Sequence, residues 1–310
     1  MKFKSIWKFL NDIVTQWLED DPFQLAAALS YYTLFSMAPL LIIAIAVAGL
    51  VFGREAATDQ VVHTIQGFVG LDGAKAVQDM IQNASNRPKT GIISTVIGLV
   101  VLLFGAGGVV GQLQTSLNKI WGVTAKTGGG VWGMIRERFV SFAMVLGVGF
   151  LLLVSLVITA FLSGLTQLMG SLVGGAAVIA HGVDIAVSFG FVTVLFAMIY
   201  KFLPDVDIHW RDVLIGAALT SFLFTVGKFA IGLYLGTSGV TSAFGAAGAL
   251  ITVLLWVYYS SLIFFLGAEF TQVYASRLGS GVVPAENAQP IAAVPEEEQR
   301  QSPPPEKRIA

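Results

Sequence analysis

Residues Pro22 to Phe52 read PFQLAAALSYYTLFSMAPLLIIAIAVAGLVF, a run of 31 residues without a charged side chain. Coiled as an α-helix at 1.5 Å per residue, it reaches about 46 Å, more than the roughly 30 Å of a bilayer's hydrocarbon core. Its length and composition predict a transmembrane helix. Asp21 is placed to cap the amino end, and Pro22 at the first helical position gives up only an amide that has no partner there. Pro39 lies inside the span and removes the bond to the carbonyl of Phe35, so a kink is expected, with Ser36 or a neighbouring helix satisfying the freed group. The run starts too late and extends too far for a signal-peptide core of about 7–15 residues, so no cleavage is expected.

Upstream, residues 1–20 place Phe3, Ile6, Trp7, Leu10, Ile13, Val14, Trp17 and Leu18 at helical spacing, opposite Lys4, Lys8, Asp12 and Glu19. Two tryptophans and early lysines on such a helix predict that it lies in the headgroup layer, although packing on another part of the protein requires the same pattern. Downstream, residues 53–90 are polar with two helical stretches, one holding Val61, Ile65 and Phe68 and the other Val77, Met80 and Ile81, and predict a cap of two short helices on the outer face. Five further spans follow at about 91–113, 139–161, 178–203, 213–235 and 244–273. Residues 278–310 are rich in proline, glutamate and glutamine and are expected to be a disordered cytoplasmic tail. The fold class is therefore all-α: a polytopic membrane domain over 21–277 with six transmembrane helices.

The rest of the composition agrees. Of 310 residues, 55% are hydrophobic and 12% charged, and the mean hydropathy of +0.77 lies far outside the range of soluble domains. Without any cysteine, disulfide frameworks and zinc–thiolate sites are excluded, and a net charge of -1 speaks against a nucleic-acid partner. With the amino terminus inside, Lys2, Lys4, Lys8, Lys119, Lys126, Arg136, Arg138, Lys201, Arg211 and Arg277 fall on the cytoplasmic side, against Arg54, Lys75, Arg87 and Lys89 outside. Both termini are then cytoplasmic.

Several residues are candidates for function. Asp184 and Lys228 lie about 9 and 10 Å from the outer ends of the fourth and fifth spans, at matching depth on expected antiparallel neighbours. Paired, they form either part of a pathway or a structural clasp; a snorkelling lysine is the alternative. Gly107-x-x-x-Gly111 in the second span permits close helix approach. That helix is expected to run on through Asn118 and Lys119 to near Trp121. Glu269, at the inner end of the sixth span, has Arg211 or Lys119 as expected partner and reads most simply as a satisfied interfacial carboxylate. Asp205, Asp207 and His209 lack the fixed spacing of a metal site, and His63 and His181 read as solvated side chains. Neither a metal nor a cofactor is expected.

Leu25 to Pro39 (LAAALSYYTLFSMAP), Leu117 to Trp121 (LNKIW), Trp256 to Ser261 (WVYYSS) and Gly267 to Glu269 (GAE) resemble, in order and spacing, the YihY/BrkB family of bacterial inner-membrane proteins. The similarity runs from about Phe3 to Arg277. It implies six spans with both termini in the cytoplasm, as the charge distribution does. The family also carries older labels as ribonuclease BN and as a virulence or serum-resistance factor, but offers no agreed catalytic residues. Metal-dependent RNA cleavage needs clustered His and Asp ligands, which three scattered histidines do not supply, so no enzyme is expected. Two readings stand: a protein that moves or shields a lipid or other amphiphilic envelope component, and a structural or assembly factor in the envelope. The lipid bilayer is the partner in both, and the oligomeric state stays open, a homo-oligomer included.

Overall fold

The computed structural model describes residues 3–53, 108–126, 176–237 and 248–291, with individual positions between 55 and 82. Six helices carry the described part of the fold: α1 (Phe3–Glu19), α2 (Pro22–Phe52), α3 (108–120), α4 (Ala176–Phe202), α5 (Trp210–Thr237) and α6 (Gly248–Arg277). By length and composition, α5 from Trp210 to Tyr234 and α6 from Leu250 to Arg277 are each able to cross a membrane. The expected spans at 91–113 and 139–161 and the cap at 53–90 lie wholly or largely outside the described residues.

α2 has the predicted bounds and continues as one α-helix through Pro39, whose side chain lies outside the described ones. Its amino end departs from expectation. Asp21 occupies the cap position but makes no capping bond with its side chain; its backbone is left-handed, at φ 55° and ψ 53°, and its carboxylate turns to Lys119 instead. Aspartate tolerates this region better than most residues, at a cost on the order of 1 kcal/mol. The result is a tight elbow between α1 and α2.

α5 and α6 form the tightest crossing, antiparallel and built from two interlocked pairs. A Cβ added at Gly216 would lie 1.9 Å from the Thr271 hydroxyl oxygen, and one at Gly267 would lie 2.0 Å from that of Thr220. Each glycine thus receives the threonine that stands four residues from the other glycine. Both threonines donate to their own helix, Thr220 to the Gly216 carbonyl at 2.8 Å and Thr271 to the Gly267 carbonyl at 2.6 Å, so no polar atom is stranded by the contact. Tyr200 of α4 closes the arrangement. It is fully buried, with its hydroxyl 2.8 Å from the Phe264 carbonyl and 3.1 Å from Thr220 Oγ1. Of the glycines expected to pack in the second span, Gly107 lies outside the described residues, and a Cβ at Gly111 would meet no described residue within 4 Å. One residue away, Gly108 does face α2, where an added Cβ would lie 3.3 Å from Tyr32.

The segment after α6 corrects another expectation. Instead of being disordered from 278 onward, the chain to Ile291 forms two short strands that return across the end of the bundle. β3 (Val283–Pro284) pairs antiparallel with β2 (Val206–Asp207) in the α4–α5 connection, and β4 (Ala288–Pro290) pairs antiparallel with β1 (Val123–Ala125) after α3. Ile291 N–H then bonds the Gly122 carbonyl at 2.8 Å. The cause is packing: Ala288, Val123 and Val206 are buried in the common core with Trp121, Leu203 and Ile208. The proline- and glutamate-rich composition belongs mainly to residues 292–310, outside the described part. α1, the ends of α3 and α6, the α4–α5 connection and this tail thus gather at one end of the bundle.

Candidate functional site

The polar chemistry of the described residues concentrates at that end. At its centre is Glu269 on the last turns of α6, 1% exposed, with Oε2 lacking a hydrogen-bond partner among the described residues. Neither expected cation pairs with it. Arg211 is exposed, and Lys119 is engaged at the elbow, its Nζ donating to the Asp20 carbonyl at 2.7 Å and to Asp21 Oδ2 at 3.1 Å. The group that acts on Glu269 is Asp20, whose carboxyl lies close enough to interact with it. This corrects the reading of Glu269 as an ion-paired carboxylate: folding brings a second acid to it, because the α1–α2 elbow docks where α6 ends.

Asp20 lies between helices, outside the spans, and its pKa is raised from the usual 3.8. Burial is the main cause; Lys119 and the Glu269 side chain oppose it, while the neighbouring carboxylates of Glu19 and Asp21 add to it. Other polar atoms near this end are also unsatisfied among the described residues, including Trp17 Nε1 one turn before Asp20, Gln272 Oε1 three residues after Glu269, and Trp121 Nε1 at the end of α3. Sequence reading singled out Glu269 and missed Asp20. The available signal was the run Glu19-Asp20-Asp21 at the threshold of a span, where acids are costly unless partnered.

A second polar centre surrounds Asp205 in the α4–α5 connection. Its carboxylate accepts from Asn118 Nδ2 at 2.8 Å, Gln114 Nε2 at 3.3 Å and Asn287 Nδ2 at 2.9 Å, while its own N–H donates to Asn118 Oδ1 at 2.8 Å. Asp205, in the α4–α5 connection, therefore ties α3 through Asn118 and the tail through Asn287. Asp207 lies 3.9 Å from Lys201, and His209 is exposed. Asp212, in the first turn of α5 and buried, accepts from the Ser280 N–H at 2.8 Å and pins the chain just after α6. Each of these carboxylates is a joint between segments.

Of the other candidates, Asp184 lies on α4, but its side chain is outside the described ones, so its relation to Lys228 is too. Lys228 is exposed on α5, beside an outward row formed by Leu214, Phe222, Val226, Phe229 and Leu233, of which Phe229 and Leu233 are each 71% exposed. The face that α1 was predicted to bury divides in two. Phe9, Ile13 and Trp17 turn inward, Phe9 meeting Phe270 of α6 edge-on at 5.8 Å, while Trp7, Leu10, Val14 and Leu18 stay exposed in a separate row.

Comparison with known proteins places these features in a family. The family model described as virulence factor BrkB matches residues 13–292. The chain is 26% identical to a UPF0761 membrane protein of Alcanivorax borkumensis over 87% of this chain and 61% of that protein, and 28% identical to one of Alkalilimnicola ehrlichii over 85% and 57%. It is 22% identical to the putative ribonuclease-like protein YfkH of Bacillus subtilis, over 87% of this chain and 96% of YfkH. The chain spans little more than half of the length of these two UPF0761 relatives. No solved structure matches it.

Proposed function

The chain belongs to the BrkB virulence factor family of membrane proteins, and from that premise we propose that it moves or shields an anionic amphiphile, a lipid or another envelope component, at the surface of its helix bundle. The observation that carries this reading is Lys228. A lysine exposed beside the apolar row Phe222, Val226, Phe229 and Leu233 puts a cation where acyl chains would lie, within reach of an anionic headgroup at the bilayer surface. The site sits in the bacterial inner membrane, with the polar end of the bundle and both termini in the cytoplasm, a placement supported by the excess of lysine and arginine on that side. The protein is read as non-catalytic; the ribonuclease-like name remains that of YfkH.

Native mass spectrometry of the protein in mild detergent, comparing wild type with Lys228→Ala, tests this. A defined anionic amphiphile retained by wild type and lost from the variant is expected. Equal retention, or none in either, would favour the second reading, a structural or assembly factor. The interlocked α5–α6 crossing speaks for that alternative, since it holds the two helices against relative sliding.

A further inference from the structure

We infer that α1 is held by the bilayer as well as by the protein: its row Trp7, Leu10, Val14 and Leu18 docks into the headgroup layer beside the bundle, with phospholipid as the partner. The docking does not depend on Lys228.

α1 carries its side chains in three rows that advance together. Phe9, Ile13 and Trp17 turn toward α6 and the core; the residue after each, Leu10, Val14 and Leu18, is apolar and exposed; the next, Asn11, Thr15 and Glu19, is polar and exposed. One residue is about 100° of helix, so a protein-facing strip, an uncovered apolar strip and a polar strip follow one another round the axis. A helix beside the bundle in water needs only the first apolar strip. A helix lying on the membrane at the rim of the bundle needs both, set at about a right angle, because protein covers one side, lipid the next and water the rest.

Depth selects the same occupant. The 30 residues of α6 reach about 45 Å against a hydrocarbon core of about 30 Å, so its last turns stand in the headgroup layer. α1 meets α6 there: Phe9 packs on Phe270, about 10 Å before the helix ends at Arg277, and Asp12 pairs with Arg277 itself. At its other end α1 touches the first turn of α2, where Trp17 meets the exposed Phe23 edge-on at 5.6 Å, so its apolar surface adjoins the start of that uncharged helix. Trp7 suits the headgroup level, and the exposed Lys8 has a stem long enough to carry its ammonium to the phosphates.

Because the chain has no cysteine, a nitroxide can be placed singly at Leu10→Cys, Val14→Cys, Asn11→Cys or Thr15→Cys in the full chain, reconstituted in vesicles of phosphatidylethanolamine and phosphatidylglycerol. Spin relaxation by oxygen, which concentrates in lipid, is compared with relaxation by a water-soluble nickel chelate. The ratio of oxygen to nickel accessibility is expected to be several-fold higher at positions 10 and 14 than at 11 and 15. High nickel accessibility at 10 and 14 would mean that water covers the row, and overturns the inference. Low accessibility to both reagents there would mean that protein covers it, a second copy or another segment of this chain, and overturns it equally. Vesicles with brominated acyl chains supply a second readout without labels. The fraction of tryptophan fluorescence that they quench is expected to fall in Trp7→Phe, and an unchanged fraction counts against lipid at this row.

Discussion

α6 meets its neighbours in two contrasting ways. Against α5, from Ile263 to Thr271, it is locked by backbone proximity: a glycine on each helix receives a threonine from the other, and each hydroxyl is satisfied within its own helix. Against α1, only a turn away, it carries a carboxyl that faces another carboxyl, an unsatisfied oxygen, and an elbow with a strained residue. The first contact has no titratable member and little freedom to move. The second gathers titratable groups around one lysine. Polar groups buried in a membrane protein can therefore fix a crossing or make it adjustable, and the choice rests on whether their bonds close locally.

The largest test of that contrast is Gly216→Val. A side chain there must displace Thr271, and a loss of about 3 kcal/mol or more is expected in detergent unfolding, partly recovered when Thr271→Ala is added. Failure of the second change to recover any stability would mean that the crossing is not held by this pair. Tyr200→Phe should cost less, about 1 kcal/mol, since it removes a buried hydroxyl from the Phe264 carbonyl and Thr220 without opening a large cavity. Neither effect should vary between acidic and neutral pH.

At the adjustable joint the effects are smaller but tilt with pH. Asp20 binds a proton more tightly in the folded chain than in the unfolded one, so its contribution to stability is full below about 3.8 and is lost as pH rises through its higher folded value. Thermal midpoints measured across this range should fall more with rising pH in wild type than in Asp20→Asn; parallel curves would count against the assignment. Water at the half-buried Asp20 reduces the size of this tilt without changing its sign. Arg277→Ala should be smallest, on the order of 0.5 kcal/mol and weaker at high salt, because its ion pair with Asp12 is partly exposed.

Local features were legible from residues alone. The bounds of α2 followed from an uncharged run that opens on a proline, and α3 ends near Trp121 as expected, where Gly122 adopts positive φ. The packing glycines were harder to find, since 34 glycines offer many small-residue spacings and only the crossing of α5 and α6 selects Gly216 and Gly267. The tail misled because composition was averaged over 278–310, whereas order in 283–290 comes from pairing with strands more than 75 residues away.

What the sequence by itself determined is the class of the protein, because span length, charge and hydropathy act on each segment separately in a bilayer. Which acid meets Glu269, which glycine meets which threonine and where the tail returns are contacts between residues far apart in the chain. Their energies depend on distance and burial, and those quantities exist only once the helices have packed.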